Sequence, residues 1–282
     1  MIESPVRFES GTFSVCHLKE TEAPLSFQIV RYGIHNRKIR GNCRVLFLSD
    51  LHNYSHGEFE EELIRAVYDA EADLILIGGD MVIQRNPENG YSEHFLKALK
   101  DCPLVCYANG NHETGVKKYH PKRYREWISM LEEQGMIVLN NSSKKISVNG
   151  TDLCVYGYEA PLSLYRKFKR HHLSTAELEE AAGRPDPEVF NILLAHNPTF
   201  GDTYFDWGAD LICSGHNHGG VMRLFGNQIL LSPYGFPFPR YGYGFFEKNG
   251  QSMIVTSGLG EHTIPVRIHN PMEIILIELK PE

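Results

Sequence analysis

Five apolar segments of this chain, each with the composition of a buried β-strand, lead directly or within two residues into clusters of polar side chains. The segments cover residues 44–49, 73–77, 103–107, 190–194 and 210–214. The clusters are Asp50-Leu51-His52, Gly78-Gly79-Asp80, Gly110-Asn111-His112-Glu113, Ala195-His196-Asn197-Pro198 and Gly215-His216-Asn217-His218-Gly219-Gly220. Open α/β sheets bind ligands beyond the carboxyl ends of their strands. We therefore expect these carboxylates, imidazoles and the amide to meet in one pocket.

The polar side chains of these clusters offer nitrogen and oxygen donors and no thiolate. Such donors suit Mn²⁺, Fe or Zn²⁺ and differ from those of a cysteine-rich structural zinc site. The candidate metal ligands are Asp50, His52, Asp80, Asn111, His196, His216 and His218. This set is too large for one tetrahedral zinc ion, but it suffices for two ions about 3.5–4 Å apart that share a carboxylate. Because such a pair can activate water and clamp a phosphoryl group, the set predicts a two-metal hydrolytic site.

Each cluster alone is a weak signal, because a lone histidine at a strand end is usually a hydrogen-bonded surface residue. The pair His216 and His218 is stronger, since the two-residue period of an extended chain puts both imidazoles on one side. Glycines around this pair allow the backbone to approach an ion closely. The prediction therefore depends on all five clusters together.

The composition is that of an ordinary globular protein, with 42% hydrophobic and 22% charged residues. A net charge of −7 argues against a dedicated nucleic-acid binder, and we expect no stable nucleic-acid complex. The six cysteines contain no C-x-x-C pair and are expected to be buried and reduced. No apolar run reaches the roughly 18 residues of a membrane span, and residues 1–10 lack the features of a signal peptide. The expected location is therefore the cytoplasm.

Helical and strand patterns alternate in the first half of the chain, whereas short strands dominate the second half. Helical spacing marks residues 59–68, 92–100, 122–134 and 174–182, the last capped by Ser174 or Thr175. Further strands are expected at residues 26–32, 136–139, 145–148, 153–156 and 273–279, with a hairpin turn at Asn149-Gly150. The pattern predicts an α/β fold in which two sheets pack together with helices outside. Because both halves supply clusters, we expect one domain over residues 1–282.

The ordered motifs resemble those of the calcineurin-like metallophosphoesterases. The resemblance runs from about residue 44 to residue 220 and rests on Asp50-x-His52, Gly79-Asp80, Gly110-Asn111-His112-Glu113, His196 and Gly215-His216-x-His218. The segments 256–260, 265–267 and 270–274 also resemble the ending of the bacterial phosphohydrolase branch. The resemblance implies two packed mixed β-sheets flanked by helices, which is a four-layer αββα sandwich.

The resemblance also implies roles for individual residues. Asp50, His52 and His218 would bind the first ion, and Asp80 would bridge it to the second. The shell of the second ion would be completed by Asn111, His196 and His216. Asn111 and His112 would contact the scissile phosphate, and His112 would be the catalytic residue that protonates the leaving oxygen. Glu113 would orient its neighbours without binding metal.

One departure from the protein-phosphatase branch narrows the expected activity. In that branch a second Asp, which orients the catalytic histidine, lies three residues after the bridging Asp and is followed by Arg. Here these positions hold Ile83 and Gln84. Protein phosphatase activity is therefore not expected, and the group that orients His112 is not identified by the sequence. Asn217 stands where Thr is common, at a position that binds no metal.

Two further segments allow more than one interpretation. The basic run at residues 165–172 is either a solvated helix or loop or a site that attracts an anionic substrate or a lipid headgroup. The aromatic loop at residues 233–244 either walls a substrate pocket or packs under its own side chains. Within it, Arg240 is the candidate for a phosphate contact. His262 and His269 are not expected to be ligands.

Together these observations predict a metal-dependent phosphoric ester hydrolase that cleaves a phosphodiester, pyrophosphate or phosphomonoester bond with metal-activated water. The expected cofactors are two divalent or trivalent ions, with manganese favoured and iron or zinc as alternatives. The expected substrate is a phosphorylated small molecule or a nucleotide or lipid diphosphate. The alternative is a non-catalytic interaction module that retains the fold. Such a module would be expected to lose ligands, and this chain keeps them.

Overall fold

The computed structural model describes residues 26–282, except residues 89, 221, 224–228 and 262–265. The strands within these ranges are β1 (Gln28–His35), β2 (Cys43–Leu48), β3 (Leu74–Ile77), β4 (Val105–Tyr107), β5 (Ile137–Val138), β6 (Ser142–Val148), β7 (Thr151–Tyr158), β8 (Phe190–Ala195), β9 (Leu211–Ser214), β10 (Gly244–Lys248), β11 (Gln251–Val255) and β12 (Glu273–Lys280). The helices are α1 (Phe59–Asp69), α2 (Tyr91–Ala98), α3 (Asn111–Tyr119), α4 (Pro121–Glu133), α5 (Thr175–Ala182) and α6 (Gly201–Trp207).

The strands form two six-stranded mixed sheets. The first has the order β1-β12-β2-β3-β4-β5, in which β2 to β5 are parallel and β12 is antiparallel to β2. The second has the order β10-β11-β9-β8-β7-β6, in which β7, β8, β9 and β11 are parallel and the two edge strands are antiparallel to their neighbours. The chain therefore returns to the first sheet at β12, which also pairs with β1 in parallel.

Alternation along β2 divides its side chains between two cores. Val45 and Phe47 are buried between the sheets, in a core that also contains Leu194 of the second sheet. Leu46 faces the opposite way, into a core formed with helices α1 to α4. A third core lies between the second sheet and helices α5 and α6. The central strands are continuously apolar because both sheets are covered on both faces. The predicted four-layer αββα arrangement is therefore confirmed.

The local signals of the second half are also confirmed. Asn149 and Gly150 connect β6 and β7 with φ values of 49° and 77°, as the two central residues of a type I′ hairpin turn require. Ser174 caps α5, because its Oγ accepts the N–H of Glu177 at 3.2 Å. The basic run at residues 166–172 is a loop that follows a short 3-10 helix.

Helices α3 and α6 are absent from the sequence-based prediction. α3 has only three buried residues and contains Gly115, so it lacks the apolar stripe that marks an amphipathic helix. α6 has seven residues and is too short for its period to stand out. Across the ranges described above, none of the helices has both the length and the apolar character needed to cross a membrane.

Candidate metal centre

The predicted ligands lie beyond the carboxyl ends of the central strands. Asp50 follows β2, Asp80 follows β3, and Asn111 begins α3 four residues after β4. In the second sheet, the ends of β8 and β9 supply His196, His216 and His218. Two sheets therefore contribute to one pocket, and its residues are separated by up to 168 positions in the chain.

Asp50, His52 and His218 form one group whose ligand atoms all lie within 4.8 Å of one another. The Nε2 atoms of His52 and His218 are 2.9 Å apart. Nε2 of His218 is 3.2 Å from Oδ1 of Asp50. Two imidazole nitrogens and a carboxylate oxygen that share one space are a suitable ligand set for one metal ion.

Asp80, His196 and His216 form a second group within the same distance limit. Nε2 of His196 is 3.0 Å from Oδ2 of Asp80, and its Nδ1 is 2.8 Å from the carbonyl oxygen of Gly78. Donation from Nδ1–H to this carbonyl leaves the Nε2 lone pair of the neutral ring for a metal ion. Because Oδ2 of Asp80 is also 3.8 Å from Nε2 of His52, Asp80 lies between the two groups.

Five of the seven predicted ligands adopt the left-handed backbone conformation that side chains other than glycine rarely adopt. Their φ values lie between 50° and 65°, and the residues are Asp50, His52, Asp80, His216 and His218. Each such residue costs on the order of 1–3 kcal/mol, and this strain is concentrated at active sites and ligand clamps. The strain therefore marks the same pocket that the ligand types indicate.

Burial and neighbouring charges act against each other in this pocket. Burial would lower the pKa of His196, but the carboxylates of Asp80 and Asp50 raise it to about 10. Burial, together with the adjacent His196, lowers the pKa of His216 to about 3. Burial would raise the pKa of Asp80, but His196 and His112 hold it well below its usual range. Without a metal ion, the charged ring of His196 and the ionised carboxylate of Asp80 therefore stabilise each other. A metal ion bound at Nε2 of His196 would replace the proton there.

Two polar atoms of the pocket are buried and make no hydrogen bond: Oδ2 of Asp50 and Oδ1 of Asn111. A buried polar atom without a partner typically costs about 1–3 kcal/mol. Both are oxygens of a type that Mn²⁺, Fe or Zn²⁺ accepts as a ligand. The residues of this pocket therefore fit a metal centre.

His112 lies at the rim of the pocket, and its orientation is fixed by a backbone amide. The N–H of Gln84 donates to Nδ1 of His112 at 3.0 Å, so the neutral ring carries its proton on Nε2. This Nε2 is 3.9 Å from Oδ2 of Asp80. The side chain of Gln84 packs where a Cβ at Gly115 would lie. A main-chain N–H thus orients His112 in this chain, where Ile83 and Gln84 replace the Asp and Arg of the protein-phosphatase motif.

Glu113 is buried directly behind Asp80 and accepts five hydrogen bonds. Its donors are the hydroxyl group of Tyr107 and the backbone N–H groups of Asp80, Met81, Val82 and Gly110. The N–H bonds fix the loop that carries Asp80 and tie it to the start of α3. Gly110 must be a glycine here, because a Cβ would overlap the Asp80 side chain. Glu113 therefore positions ligands and belongs to neither group of metal-ligating atoms.

The C-terminal residues 256–274, parts of which resemble the bacterial branch, form hydrogen bonds to the backbone of the first ligand group. The N–H of Gly260 donates to the carbonyl oxygen of Asp50 at 2.6 Å. The side-chain amide of Asn270 donates to the carbonyl oxygens of His218 at 2.6 Å and Gly220 at 2.7 Å. These bonds hold the backbone on both sides of the first ligand group, a role that the sequence analysis does not assign to this segment.

Two tyrosines line the side of the pocket next to His216. The ring centroids of Tyr165 and Tyr234 lie 5.0 Å and 5.6 Å from that of His216. The aromatic loop also packs under its own side chains, since Tyr241 and Tyr243 are buried. Tyr234 of this loop lies beside His216, and its role as a wall for substrate stays a prediction. Tyr165, which begins the basic run, is a wall residue that the sequence analysis does not single out.

Arg240 lies apart from the interactions that organise the pocket. Its guanidinium group forms an ion pair with Asp202 at 2.6 Å, and its side chain is 71% exposed. A phosphate contact by Arg240 stays a prediction. His269 is exposed and belongs to none of the ligand groups, whereas His262 lies outside the described residues.

The profile of the calcineurin-like phosphoesterase family matches residues 43–220, from the first residue of β2 to the glycines after His218. This match covers more than half of the chain. The chain therefore belongs to the calcineurin-like phosphoesterase family. The family assignment agrees with the predicted fold and with the clustered aspartate and histidine ligands.

Individual relatives agree with this assignment. The Caenorhabditis elegans protein F40B5.2 is 30% identical over 247 residues, covering 85% of this chain and 48% of that protein. An uncharacterized metallophosphoesterase of Helicobacter pylori strain J99 is 29% identical over 255 residues, covering 88% and 63%. The chain thus spans between about half and two thirds of the length of these relatives.

One solved structure also has a similar fold. It is a Staphylococcus aureus structure described as a putative 5′-nucleotidase in complex with alpha-ketoglutarate, with a TM-score of 0.50 and 13% identity. The match covers 78% of this chain and 49% of that one. This likeness concerns the fold alone.

Proposed function

We propose that this protein is a dinuclear metal-dependent phosphoesterase with one catalytic domain. The observation that carries the proposal is that the candidate ligands form three overlapping groups, and that Asp80 belongs to two of them, one with His196 and His216 and one with His52 and His112. A single ion would leave several of these buried donor atoms without a partner. Two ions that share Asp80 account for the whole set.

Asp50, His52 and His218 would hold the first ion, and Asn111, His196 and His216 would complete the shell of the second, with Asp80 bridging. We favour manganese, with iron and zinc as alternatives, because imidazole, amide and carboxylate donors suit all three. When bound, such a pair supplies activated water and stabilises negative charge on a phosphoryl group.

His112 would act as a hydrogen-bond donor to the phosphoester. Its Nδ1 accepts the Gln84 N–H, so its proton is on Nε2 and faces the pocket. Complete transfer of this proton from a neutral ring would leave an anionic imidazole. We therefore assign His112 the stabilisation of charge that develops on the leaving oxygen, with the proton shared rather than lost. Asp80 supports this position, because its Oδ1 accepts the backbone N–H of His112 at 2.7 Å.

The proposed substrate is a phosphorylated small molecule. The resemblance to the bacterial branch favours a phosphodiester or a pyrophosphate over a phosphomonoester. Tyr165 and Tyr234 would form one wall of the substrate site beside His216. Arg240 could contact phosphate only after exchanging its ion pair with Asp202 for the substrate.

The test is hydrolysis of p-nitrophenyl phosphate and of bis(p-nitrophenyl) phosphate by protein loaded separately with Mn²⁺, Zn²⁺ or Fe²⁺. We expect metal-dependent cleavage of at least one ester, with the diester preferred. His94→Ala is the matched control for histidine variants, because His94 is exposed and pairs only with Glu60 among the contacts described. Absence of cleavage with all three metals would contradict the proposal.

A further inference from the structure

Five of the ten exposed large apolar side chains among the described residues lie at residue 168 or in segment 230–238. Among the residues that the structure describes, every exposed large apolar side chain other than tyrosine lies at residue 168, in segment 230–238 or in segment 266–268. Phe168 is 76% exposed and Phe238 is 54% exposed. Single exposed apolar residues are common on protein surfaces, but a concentration of this kind marks an interaction site.

Residue 168 and segment 230–238 are in direct contact, and together with the basic loop they form what we call the amphipathic face (residues 166–170 and 230–238). The N–H of Phe168 donates to the carbonyl oxygen of Tyr234 at 2.9 Å, and its ring packs against Gly235. Segment 230–238 folds back on itself, with the N–H of Ser232 bonded to the carbonyl oxygen of Phe236 at 3.0 Å. Phe168, Phe236 and Phe238 therefore belong to one surface.

This surface is cationic in a protein of net charge −7. The amphipathic face contains four Arg or Lys residues and no Asp or Glu. All four, Arg166, Lys167, Lys169 and Arg170, are exposed on the two sides of Phe168. Aromatic side chains flanked by basic ones are typical of segments that lie in the interface of an anionic membrane.

Two of the exposed phenylalanines have a strained backbone conformation. Phe168 and Phe238 have φ values of 58° and 50°, and a positive φ is a genuine outlier for a bulky residue. Within the described ranges no other phenylalanine, tyrosine or tryptophan has a positive φ. Strain of this kind persists where the surrounding structure imposes it, often at ligand contacts.

We propose that the amphipathic face docks on a bilayer that contains anionic phospholipids. The phenylalanines would enter the headgroup region, and the four basic residues would pair with lipid phosphates. Tyr165 and Tyr234, which continue this face, contact His216 of the candidate metal centre. Docking would thus bring the mouth of the pocket to the membrane surface. The proposal concerns a surface outside the ligand set and does not depend on turnover.

Vesicle co-sedimentation of the full chain tests the proposal, with vesicles of phosphatidylcholine alone or mixed with phosphatidylglycerol. We expect binding to the anionic vesicles and loss of binding at high salt. Phe168→Ser should weaken binding about tenfold, because the buried apolar area is lost. Lys167→Gln and Lys169→Gln should each weaken it about fivefold. Tyr119→Ser and Lys122→Gln are the matched controls on exposed positions elsewhere and should bind as the native chain does.

No binding to anionic vesicles, or binding that Phe168→Ser leaves unchanged, would overturn the proposal. A native chain that sediments as a dimer, and a Phe168→Ser variant that sediments as a monomer, would assign the face to a second copy and would also overturn it. The inactive variant Asp80→Ala should still bind vesicles. Failure of docking is therefore distinguishable from failure of the proposed phosphoesterase activity, which is measured on soluble esters.

Discussion

The Nε2 atoms of His52 and His218 lie 2.9 Å apart in a buried pocket, although 166 positions separate the two residues in the chain. Oδ1 of Asp50 lies 3.2 Å from the same nitrogen of His218. Both histidines have a left-handed backbone conformation, and the side-chain amide of Asn270 donates to the carbonyl oxygen of His218. Two imidazole nitrogens and a carboxylate oxygen held this close together form a suitable binding site for a cation.

Metal removal should destabilise the folded protein. Ions that bind the folded chain and not the unfolded one stabilise it by about 4 kcal/mol at a thousandfold excess over Kd. For a chain of this size, we expect Mn²⁺ to raise the Tm of chelator-treated protein by on the order of 10 °C. Differential scanning calorimetry with and without EDTA measures this shift. An unchanged Tm at saturating metal would contradict a metal centre in this pocket.

Asp80→Ala should abolish turnover and lower the metal content. Among the described ligand groups, Asp80 is the only carboxylate that belongs to two of them, one with His196 and His216 and one with His52 and His112, so its loss removes a ligand from both. Activity on the soluble esters and elemental analysis of the purified variant provide the two measurements. His94→Ala should match the native protein in both. Full activity in Asp80→Ala would refute the bridging role.

His112→Ala should impair turnover and leave the metal in place. His112 contributes a proton-bearing Nε2 at the rim of the pocket, and loss of one hydrogen-bond donor of this kind typically lowers kcat about 10²–10³-fold. We expect kcat to fall within this range, while elemental analysis finds the native metal content. Loss of the metal together with the rate would instead identify His112 as an essential ligand.

Glu113→Gln should weaken metal binding without removing any ligand atom. The substitution replaces one of the acceptor oxygens with an NH₂ group, which cannot accept the N–H bonds that fix the Asp80 loop. Loss of groups that support metal ligands typically lowers metal affinity about 10–100-fold. Isothermal titration with Mn²⁺ measures this change. An affinity equal to that of the native chain would show that Glu113 does not position Asp80.

The layers of the fold and the approximate strand positions could be predicted from the sequence, because central strands covered on both faces are continuously apolar. The return of β12 to the first sheet could not be predicted, because strand order depends on long-range pairing that leaves no local pattern in the sequence. Helix α3 was also missed. Its first turn consists of Asn111 and His112, which face the pocket, and Glu113, which binds the Asp80 loop. These polar residues leave the helix without the apolar stripe that would predict it.

The candidate ligands could be named from the sequence because their side chains carry the chemistry. The supporting groups could not be named in the same way. His112 is oriented by the backbone N–H of Gln84, which any residue except proline would supply. The residue type at position 84 therefore does not reveal this contact. The contact between Asn270 and the backbone of His218 depends on the tertiary fold. The ion pair between Arg240 and Asp202 also depends on the tertiary fold, and a phosphate contact by Arg240 stays a prediction.

The central claim is that one pocket holds two ions that share Asp80. Elemental analysis of protein purified after reconstitution with Mn²⁺, combined with a crystal structure that locates the ions by anomalous scattering, tests it most directly. We predict two ions per chain, about 3.5–4 Å apart and on either side of Asp80. One ion per chain in fully active protein, or ions bound outside this pocket, would contradict the claim.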